Sequence, residues 1–245
     1  MDALPRGFAV LPAFNEGATI RSLVERTLAR LQNVIVVDDG SSDDTSAQLT
    51  GLPVRVIRHE ENLGKAASLW DGVQAALQHE AEYVITLDGD GQHAPEDIPN
   101  LLDAHHARPN DIIIGARVRN RETAPVARRF ANDFADFWIS WAAGARIRDS
   151  QSGFRLYPAE LLERIDVAHD KAHGFVFESE ILIEAARSGV ACYSIPIQTR
   201  YPKQARKSYF RPVADIAAIV LMVARKLLLQ RMNLTGLYRI LSSRG

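Results

Sequence analysis

Short apolar runs alternate with segments of helical periodicity through the first half of the chain. The apolar runs predict five β-strands, at residues 8–13, 33–37, 54–58, 84–87 and 112–114. Between them, apolar residues recur every three or four positions, as Ile20, Leu23, Val24 and Leu28 do, which predicts helices. Strands that alternate with helices indicate an α/β fold, with a mostly parallel sheet flanked by helices.

The second half of the chain loses this regular alternation. Helices are predicted over 126–143, in a segment that ends at Ser188, and from Pro212 onward, with one more strand at 191–197. The helix at 126–143 carries an aromatic stripe made of Phe130, Phe134, Phe137, Trp138 and Trp141. Core packing and a lipid-facing groove both account for such a stripe.

Composition limits the number of domains and the chemistry. A chain of 245 residues with 47% hydrophobic content can bury one sizeable α/β core. We therefore expect a catalytic domain over 1–211 and a C-terminal helical tail over 212–245. Cys192 is the only cysteine, so neither a disulfide framework nor a cysteine-rich metal site can form within the chain.

Charge is distributed unevenly along the chain, although the net charge is only −1. Residues 200–245 hold ten lysines and arginines and one acid, Asp215, so this part carries about +9. The apolar helical segment from Pro212 makes the tail both basic and amphipathic. Such a tail fits a membrane surface, a phosphate-bearing substrate or nucleic acid, and nucleic acid is excluded as a partner because basic and aromatic residues are not interleaved.

The chain is expected to be cytoplasmic and peripherally attached to the inner face of a membrane. Its first ten residues lack the basic and apolar regions of an export signal. The longest apolar run, 216–224, has nine residues, against the roughly 20 needed to cross a bilayer. Packing of the tail on the catalytic domain or on a second subunit, as in a homodimer, is the alternative to membrane attachment.

Two aspartates one residue apart follow the predicted strand at 84–87. Asp88 and Asp90 stand in the sequence DGDGQ, where the glycines leave room for a bulky ligand. Two carboxylates this close repel unless a cation lies beside them, and hard oxygen ligands suit Mg²⁺ or Mn²⁺. The segment therefore predicts a divalent metal that carries a diphosphate, with a solvated turn as the alternative.

Other polar residues also follow predicted strands. Asn15 and Glu16 follow the first strand, Asp38 and Asp39 the second, and Arg117 the fifth. The carboxyl ends of parallel strands meet at one edge of a sheet, where open α/β sheets bind their ligands. We therefore expect these residues to line one crevice together with the two aspartates.

Four segments together resemble family 2 glycosyltransferases of the GT-A fold, and within them the dolichyl-phosphate mannose synthase branch. The segments are PAFNE at 12–16, DDGSSD at 38–43, DGDGQ at 88–92 and SGFR at 152–155. The resemblance runs from about residue 8 to 210, and four segments in order are far more specific than any one of them. It implies a GT-A (Rossmann-like) catalytic domain.

The resemblance also implies a role for individual residues. Asp88, Asp90 and Gln92 would form a metal motif of the DxD type, in which Asp90 and Gln92 would contact the metal and Asp88 would face the ribose or the donor sugar. A nucleotide-sugar pocket would be formed by Pro12, Phe14, Glu16, Asp39, Asp88, Ser152 and Gly153. Lys65 could approach a phosphate of the donor.

An acceptor site is implied by a second set of residues. Arg117 and one of Arg128 or Arg129 would hold an acceptor phosphate, with surface ion pairing as the alternative for the last two. A lid over the diphosphate would contain Arg200, Arg206, Lys207 and Ser208. Glu178 and Glu180 would supply a catalytic base, unless they only stabilise the start of their helix.

The resemblance implies transfer of a sugar, with inversion, from a GDP- or UDP-linked donor to a lipid acceptor. A polyprenyl phosphate acceptor needs no strong base, whereas a hydroxyl acceptor would need Glu178 or Glu180 to take a proton. The sequence leaves this choice open. A nucleotidyltransferase or diphosphate hydrolase and a non-catalytic nucleotide-binding module are the alternatives of another class.

Overall fold

The computed structural model describes residues 6–117, 126–169, 174, 176–197 and 212–242, and for 126–128, 130–131 and 212–215 it describes the backbone alone. Seven strands form one sheet in the order β3-β2-β1-β4-β6-β5-β7. Their bounds are β1 Gly7–Ala13, β2 Asn33–Asp38, β3 Arg55–Arg58, β4 Tyr83–Thr86, β5 Ile112–Ala116, β6 Arg155–Pro158 and β7 Cys192–Pro196. The six strands expected from the apolar pattern are all present, with ends shifted by one or two residues.

One strand was missed by the sequence analysis. Strand β6 lies between β4 and β5 and runs antiparallel to both, pairing Thr86 with Arg155 and Ile113 with Leu156. Arg155, the last residue of the SGFR segment, begins this strand. The remaining pairs, β1 with β2 and β4, β2 with β3, and β5 with β7, are parallel.

Helices cover both faces of the sheet. Their bounds are α1 Ile20–Leu28, α2 Thr45–Gln48, α3 Lys65–Gln78, α4 Ile98–Ala107, α5 Val126–Ala143, α6 Ala159–Arg164, α7 Val176–Arg187, α8 Pro212–Leu229 and α9 Leu234–Ser242. The bounds of α5 agree with the sequence prediction. Helices α6 and α9 were not predicted as separate elements.

Alternate residues of the central strands pack into two separate cores, because successive side chains of a strand point to opposite faces. On one face, Val10 and Ile35 pack with α3, α5, α7 and α8; on the other, Leu11 and Ile85 pack with α1 and α4. Helix α3 approaches β1 closely at Gly72, where an added Cβ would lie 2.3 Å from Val10 Cγ1. The sheet is therefore rigidly held from both sides.

The aromatic stripe of α5 serves core packing in its C-terminal half. Trp141 is buried, and Phe137 and Trp138 pack against the same core. Phe134 is 42% exposed. The side chain of Phe130 lies outside the described residues. Core packing therefore explains most of the stripe that the structure describes.

Candidate active site

The loops that follow β1 and β2 are tied together at the carboxyl edge of the sheet. The backbone N–H of Asn15 donates to Ser41 Oγ at 2.9 Å, and the N–H of Ser42 donates to Asn15 Oδ1 at 2.8 Å. Asn15 has a φ of 56°, a left-handed conformation that asparagine tolerates. Buried Glu16 donates its N–H to Thr45 Oγ1 at 2.8 Å. Two loops that are distant in sequence thus form one wall.

The loop that carries the two aspartates lies against this wall. Thr19 Oγ1 donates to the carbonyl of Gly89 at 3.0 Å. A Cβ added to Gly89 would lie 2.8 Å from the carbonyl oxygen of Pro12 and 3.3 Å from Glu16 Cγ. Pro12 is buried and Phe14 is half-buried in the same wall. The predicted residues after β1 and β4 are therefore brought together, and glycine is required where the two loops touch.

Asp39 is buried and accepts four hydrogen bonds from the chain. His59 Nδ1 and the Leu63 N–H lie 2.8 Å from Oδ1, while Asn62 Nδ2 at 2.8 Å and the Gly64 N–H at 2.9 Å contact Oδ2. These four hydrogen bonds offset the free-energy cost of burying a carboxylate. Asp39 thus fixes the loop that leads into α3. Contact between Asp39 and a nucleoside stays a prediction.

His59, which contacts Asp39, was not predicted by the sequence analysis. Its second nitrogen, Nε2, lies 3.1 Å from Asp71 Oδ2 on α3, so the ring bridges two carboxylates. Nothing in the spacing of Asp39, His59 and Asp71 indicates this bridge. It depends on β3 returning beside β2.

Lys65 connects the aspartate motif to α7. Its Nζ lies 2.6 Å from Asp88 Oδ1 and 2.6 Å from Glu178 Oε2. Burial alone would lower the pKa of Lys65, but the charges of Asp88 and Glu178 outweigh it and raise that pKa above its usual range. Burial would likewise raise the pKa of Asp88, but Lys65 and then His93 hold it well below its usual range. The three side chains form an ion cluster within the site.

Asp90 and Gln92 form a second polar group beside this cluster. Gln92 donates to Asp90 twice, from its backbone N–H at 3.0 Å to Oδ1 and from Nε2 at 2.7 Å to Oδ2. Burial, followed by the charge of Asp88, raises the pKa of Asp90. His93 is buried nearby, and its Nδ1 has no hydrogen-bond partner among the described residues. Its other nitrogen lies 3.7 Å from Asp88 Oδ2.

These donors fit a divalent metal that is shared with a ligand. Within the described ranges, no group of three or more His, Cys, Asp and Glu residues could hold a metal alone. Mg²⁺ in phosphate-binding sites commonly takes only one or two protein oxygens and completes its shell with phosphate and water. A carboxylate whose pKa is raised by burial and by a neighbouring carboxylate would be stabilised by a cation there. Asp90 and Gln92 suit this role better than Asp88, one of whose oxygens contacts Lys65.

Arg117 is held in place by Asp149. Its Nε donates to Oδ2 at 2.9 Å and its terminal NH2 group donates to Oδ1 at 2.7 Å, a two-bond pair between planar groups. Asp149 has a φ of 53°, and its N–H donates to Asp136 Oδ2 of α5 at 2.8 Å. Asp136 and Asp149, which the sequence analysis did not single out, thus fix the arginine that was predicted to hold the acceptor.

The SGFR segment is fixed by its own polar atoms. Ser152 is buried and its hydroxyl donates to the Gly115 carbonyl at 2.6 Å. Gly153 packs on Asp88, since a Cβ there would lie 2.6 Å from Asp88 Oδ2. Arg155 is fully buried and donates to the carbonyls of Ser150, Ser152 and Glu178. This segment therefore connects the aspartate motif to α7.

The structure separates Glu180 from the ion cluster. Glu180 Oε1 lies 2.6 Å from Lys226 Nζ of α8, whereas Glu178 contacts Lys65. Residues two apart on a helix point in nearly opposite directions. Arg129 is half-buried near the start of α5. The side chain of Arg128 and the residues Arg200, Arg206, Lys207 and Ser208 lie outside the described residues.

A family model decides which group of proteins this chain falls into. The model described as Glycosyl transferase family 2 matches residues 8–165, which is more than half of the chain. The chain belongs to glycosyl transferase family 2. The enzyme class expected from the four segments is thus confirmed.

Relatives of this family 2 transferase include enzymes named for polyprenyl phosphates. It is 30% identical over 206 residues to polyprenol monophosphomannose synthase of Mycolicibacterium smegmatis, a match that covers 78% of this chain and 76% of the relative. It is 27% identical over 215 residues to UDP-N-acetylglucosamine–dolichyl-phosphate N-acetylglucosaminyltransferase of Methanococcus voltae, with coverage of 79% and 85%. The resemblance to the dolichyl-phosphate mannose synthase branch is confirmed by these matches.

Solved structures confirm the GT-A fold of the transferase. Glucosyl-3-phosphoglycerate synthase from Mycobacterium tuberculosis, in complex with Mg²⁺ and uridine diphosphate, matches with a TM-score of 0.66 at 24% identity. The match covers 92% of this chain and 79% of the synthase. The same synthase has also been solved with Mn²⁺, uridine diphosphate and phosphoglyceric acid. At this identity the likeness shows the fold alone.

Proposed function

We propose that this transferase moves a sugar from a nucleoside diphosphate to the phosphate of a polyprenyl phosphate, with inversion. One observation carries the choice of acceptor: each glutamate that could act as a base is paired with a lysine. Glu178 lies 2.6 Å from Lys65 Nζ, and Glu180 lies 2.6 Å from Lys226 Nζ. The names of two relatives, a polyprenol monophosphomannose synthase and a dolichyl-phosphate N-acetylglucosaminyltransferase, support the same acceptor class.

A hydroxyl acceptor would demand a proton acceptor in the site. If Glu178 took that proton, Lys65 would lose one of its two counter-charges, so the pair opposes the step. A phosphate monoester is largely ionised near neutral pH and can attack without a base. The site therefore favours an acceptor that arrives already charged.

Arg117 would position this acceptor. Asp149 holds the planar guanidinium from one side, directly after the end of β5. A guanidinium suits a phosphate because it can pair two oxygens at once. In the reaction, the phosphate oxygen forms a bond to the anomeric carbon while the bond from that carbon to the diphosphate breaks. One such displacement inverts the configuration.

The donor would lie in the crevice formed by the loops after β1, β2 and β4. Pro12, Phe14, Glu16 and Asp39 would line the nucleoside pocket, and Asp88, Ser152 and Gly153 would lie toward the sugar. Asp90 and Gln92 would hold Mg²⁺ or Mn²⁺, which supplies Lewis acid stabilisation of the departing diphosphate when bound. Lys65 contacts Asp88 and holds its side chain in place. The carboxylate fits there because Gly153 has no side chain.

A peripheral attachment to an anionic membrane surface would bring the enzyme to its lipid acceptor. Across the described ranges, no helix is both long and apolar enough to cross a bilayer. The basic composition of residues 200–245 supports surface attachment. A homodimer and the domain boundary at residue 211 stay predictions.

An acceptor comparison tests the proposed function. The full chain is incubated with a panel of UDP- and GDP-linked sugars, Mg²⁺ or Mn²⁺, and either a polyprenyl phosphate or the matching polyprenol. We expect sugar transfer to the polyprenyl phosphate. Transfer to the polyprenol should be at least about a hundredfold slower, because the site offers no base to take the proton of its hydroxyl group. Equal transfer to both acceptors would contradict the proposal. Release of nucleotide without any glycolipid would favour the hydrolase alternative.

A further inference from the structure

The two C-terminal helices leave several large apolar side chains exposed to solvent. Leu221, Leu228 and Leu229 of α8, and Leu234 and Tyr238 of α9, are each at least 68% exposed. Leu241 of α9 is 48% exposed. We call these six residues the C-terminal apolar face. Single exposed apolar residues are ordinary, but a set of this size marks a contact surface.

The opposite sides of the same helices are well packed. Ile219, Val223 and Leu227 of α8 and Ile240 of α9 are buried, and both helices contact α5. Lys226 further ties α8 to α7 through Glu180 and Glu184. The apolar face is therefore the outer side of a folded layer, and its exposure does not result from loose packing.

Hydrogen bonds to Trp141 of α5 fix the turn between α8 and α9. Trp141 Nε1 of α5 donates to the Met232 carbonyl at 2.9 Å, and Asn233 Nδ2 donates to the Trp141 carbonyl at 3.0 Å. A Cβ added to Gly236 would lie 2.5 Å from Asn233 Nδ2, so the turn packs directly on the start of α9. The two helices thus present their exposed leucines in a fixed arrangement.

Charge around the apolar face identifies its partner. Residues 216–245 contain five lysines and arginines and no acid. Lys226 pairs with α7, whereas Arg225, Arg231 and Arg239 make no ion pair with any acid in the described part of the chain. Exposed leucines that are interspersed with arginines complement the interface of an anionic leaflet. A second copy in a two-fold dimer would instead bring arginines against arginines.

We propose that the C-terminal apolar face docks on an anionic lipid leaflet, with Leu228, Leu229, Leu234 and Tyr238 inserted and the three arginines at the headgroups. Docking itself does not depend on the reaction. The link to the active site rests on the proposed function: α7 carries Glu180, which holds α8, and also Glu178, which holds Lys65. The leaflet that supplies a lipid acceptor would thus be one helix away from the ion cluster.

Vesicle flotation of the full chain tests the leucines. The vesicles contain phosphatidylcholine with or without phosphatidylglycerol. We expect the native chain to float with the anionic vesicles and the L228E/L229E variant to partition at least about tenfold more weakly. The matched control V56E/Y193E adds the same charge at exposed positions of β3 and β7 and should float like the native chain. Circular dichroism checks that each variant is folded.

A second variant tests the arginines without adding charge to the apolar face. R225Q/R231Q/R239Q should bind anionic vesicles about a hundredfold more weakly, at roughly fivefold for each arginine, and should bind neutral vesicles as the native chain does. Unchanged flotation of both variants would overturn the proposal. A dimer in light scattering that L228E/L229E dissociates, without flotation of the native chain, would also overturn it. Thermal shift with nucleoside diphosphates reports separately on the donor site.

Discussion

Lys65 places its Nζ 2.6 Å from Glu178 Oε2, which joins the start of α3 to the first turn of α7 across the active site. The same nitrogen contacts Asp88, so one ammonium compensates two carboxylates. A partly buried carboxylate that loses its counter-charge keeps its desolvation cost and loses the attraction. Lys65 is therefore expected to contribute to stability as well as to the arrangement of the site.

The Lys65→Met variant should lower the free energy of unfolding by about 2 kcal/mol, because two carboxylates then face each other without a cation. This corresponds to a Tm lower by about 4–8 °C for a chain of this size. Adding Glu178→Gln should recover about 1 kcal/mol of the loss, since one of the two charges is removed. Urea unfolding of both single variants and the double variant measures the coupling. Additive effects would show that the two side chains act independently.

The Glu178→Gln variant separates a base from a structural partner. Glutamine still accepts a hydrogen bond from Lys65 but cannot take a proton. We expect kcat with a polyprenyl phosphate to fall less than about tenfold, whereas loss of a general base typically costs 10²–10⁴-fold. Steady-state assays across pH provide the measurement. A loss of about a thousandfold, with the acidic limb of the pH profile abolished, would show that Glu178 acts as the base.

Gly153 lies where any side chain would displace Asp88. Gly153→Ala puts a Cβ 2.6 Å from Asp88 Oδ2, so the carboxylate must move from its place beside Lys65. A displacement near 1 Å in a site can reduce the rate by about a hundredfold. We expect kcat to fall by about 10- to 100-fold. The matched control is Gly174→Ala, which meets no described atom within 4 Å and should leave kcat unchanged. Equal losses in both variants would point to a general effect of the added methyl group.

Arg117→Gln tests the acceptor site. The variant removes the guanidinium that Asp149 holds and should raise KM for the polyprenyl phosphate by about tenfold or more, because a charge-assisted pair is lost. Binding of the nucleoside diphosphate, measured by thermal shift, should stay unchanged. Arg108→Gln removes an exposed arginine that precedes β5, whereas Arg117 follows the other end of this strand, and it serves as the control. If nucleotide binding were weaker in Arg117→Gln and not in the control, Arg117 would belong to the donor site and not to the acceptor site.

The sequence was sufficient to predict the framework of the fold and the edge of the sheet where the motif residues gather. The runs at 8–13, 33–37 and 112–114 consist almost entirely of apolar residues, as expected for strands that are covered on both faces. Polar residues directly after such runs must then meet at the carboxyl edge. Strand β6 escaped prediction because it has only four residues and begins with a buried arginine. A buried Arg155 is satisfied by carbonyls of a loop and a helix, which no periodicity reveals.

Partners within the site could not be predicted for a related reason. Asp149 lies 32 residues after Arg117, and Glu178 is separated from Lys65 by several strands and helices. Such pairs depend on where antiparallel β6 and helix α7 return to the sheet. Glu178 and Glu180 are equivalent in the sequence, and only the packing of α8 assigns Glu180 to Lys226. Motifs thus predict which residues gather at the carboxyl edge of the sheet, whereas tertiary structure decides which of them form ion pairs.

The pair between Arg117 and Asp149 should make part of the stability depend on pH. Burial alone would raise the pKa of Asp149, but Arg117 outweighs it and holds that pKa below its usual range. Because the folded pKa is depressed, the stabilisation is complete above the unfolded Asp pKa of about 3.9 and is lost as the pH falls through the folded value. At pH 7 the native chain should exceed Arg117→Gln in free energy of unfolding by about 2 kcal/mol, and the gap should shrink below about pH 3.9. Urea unfolding at pH 7 and below about pH 3.9 measures this difference in free energy. Arg108→Gln, at an exposed position, serves as the control. A gap that stays constant into acid would mean that Arg117 stabilises the fold by packing and not by its charge.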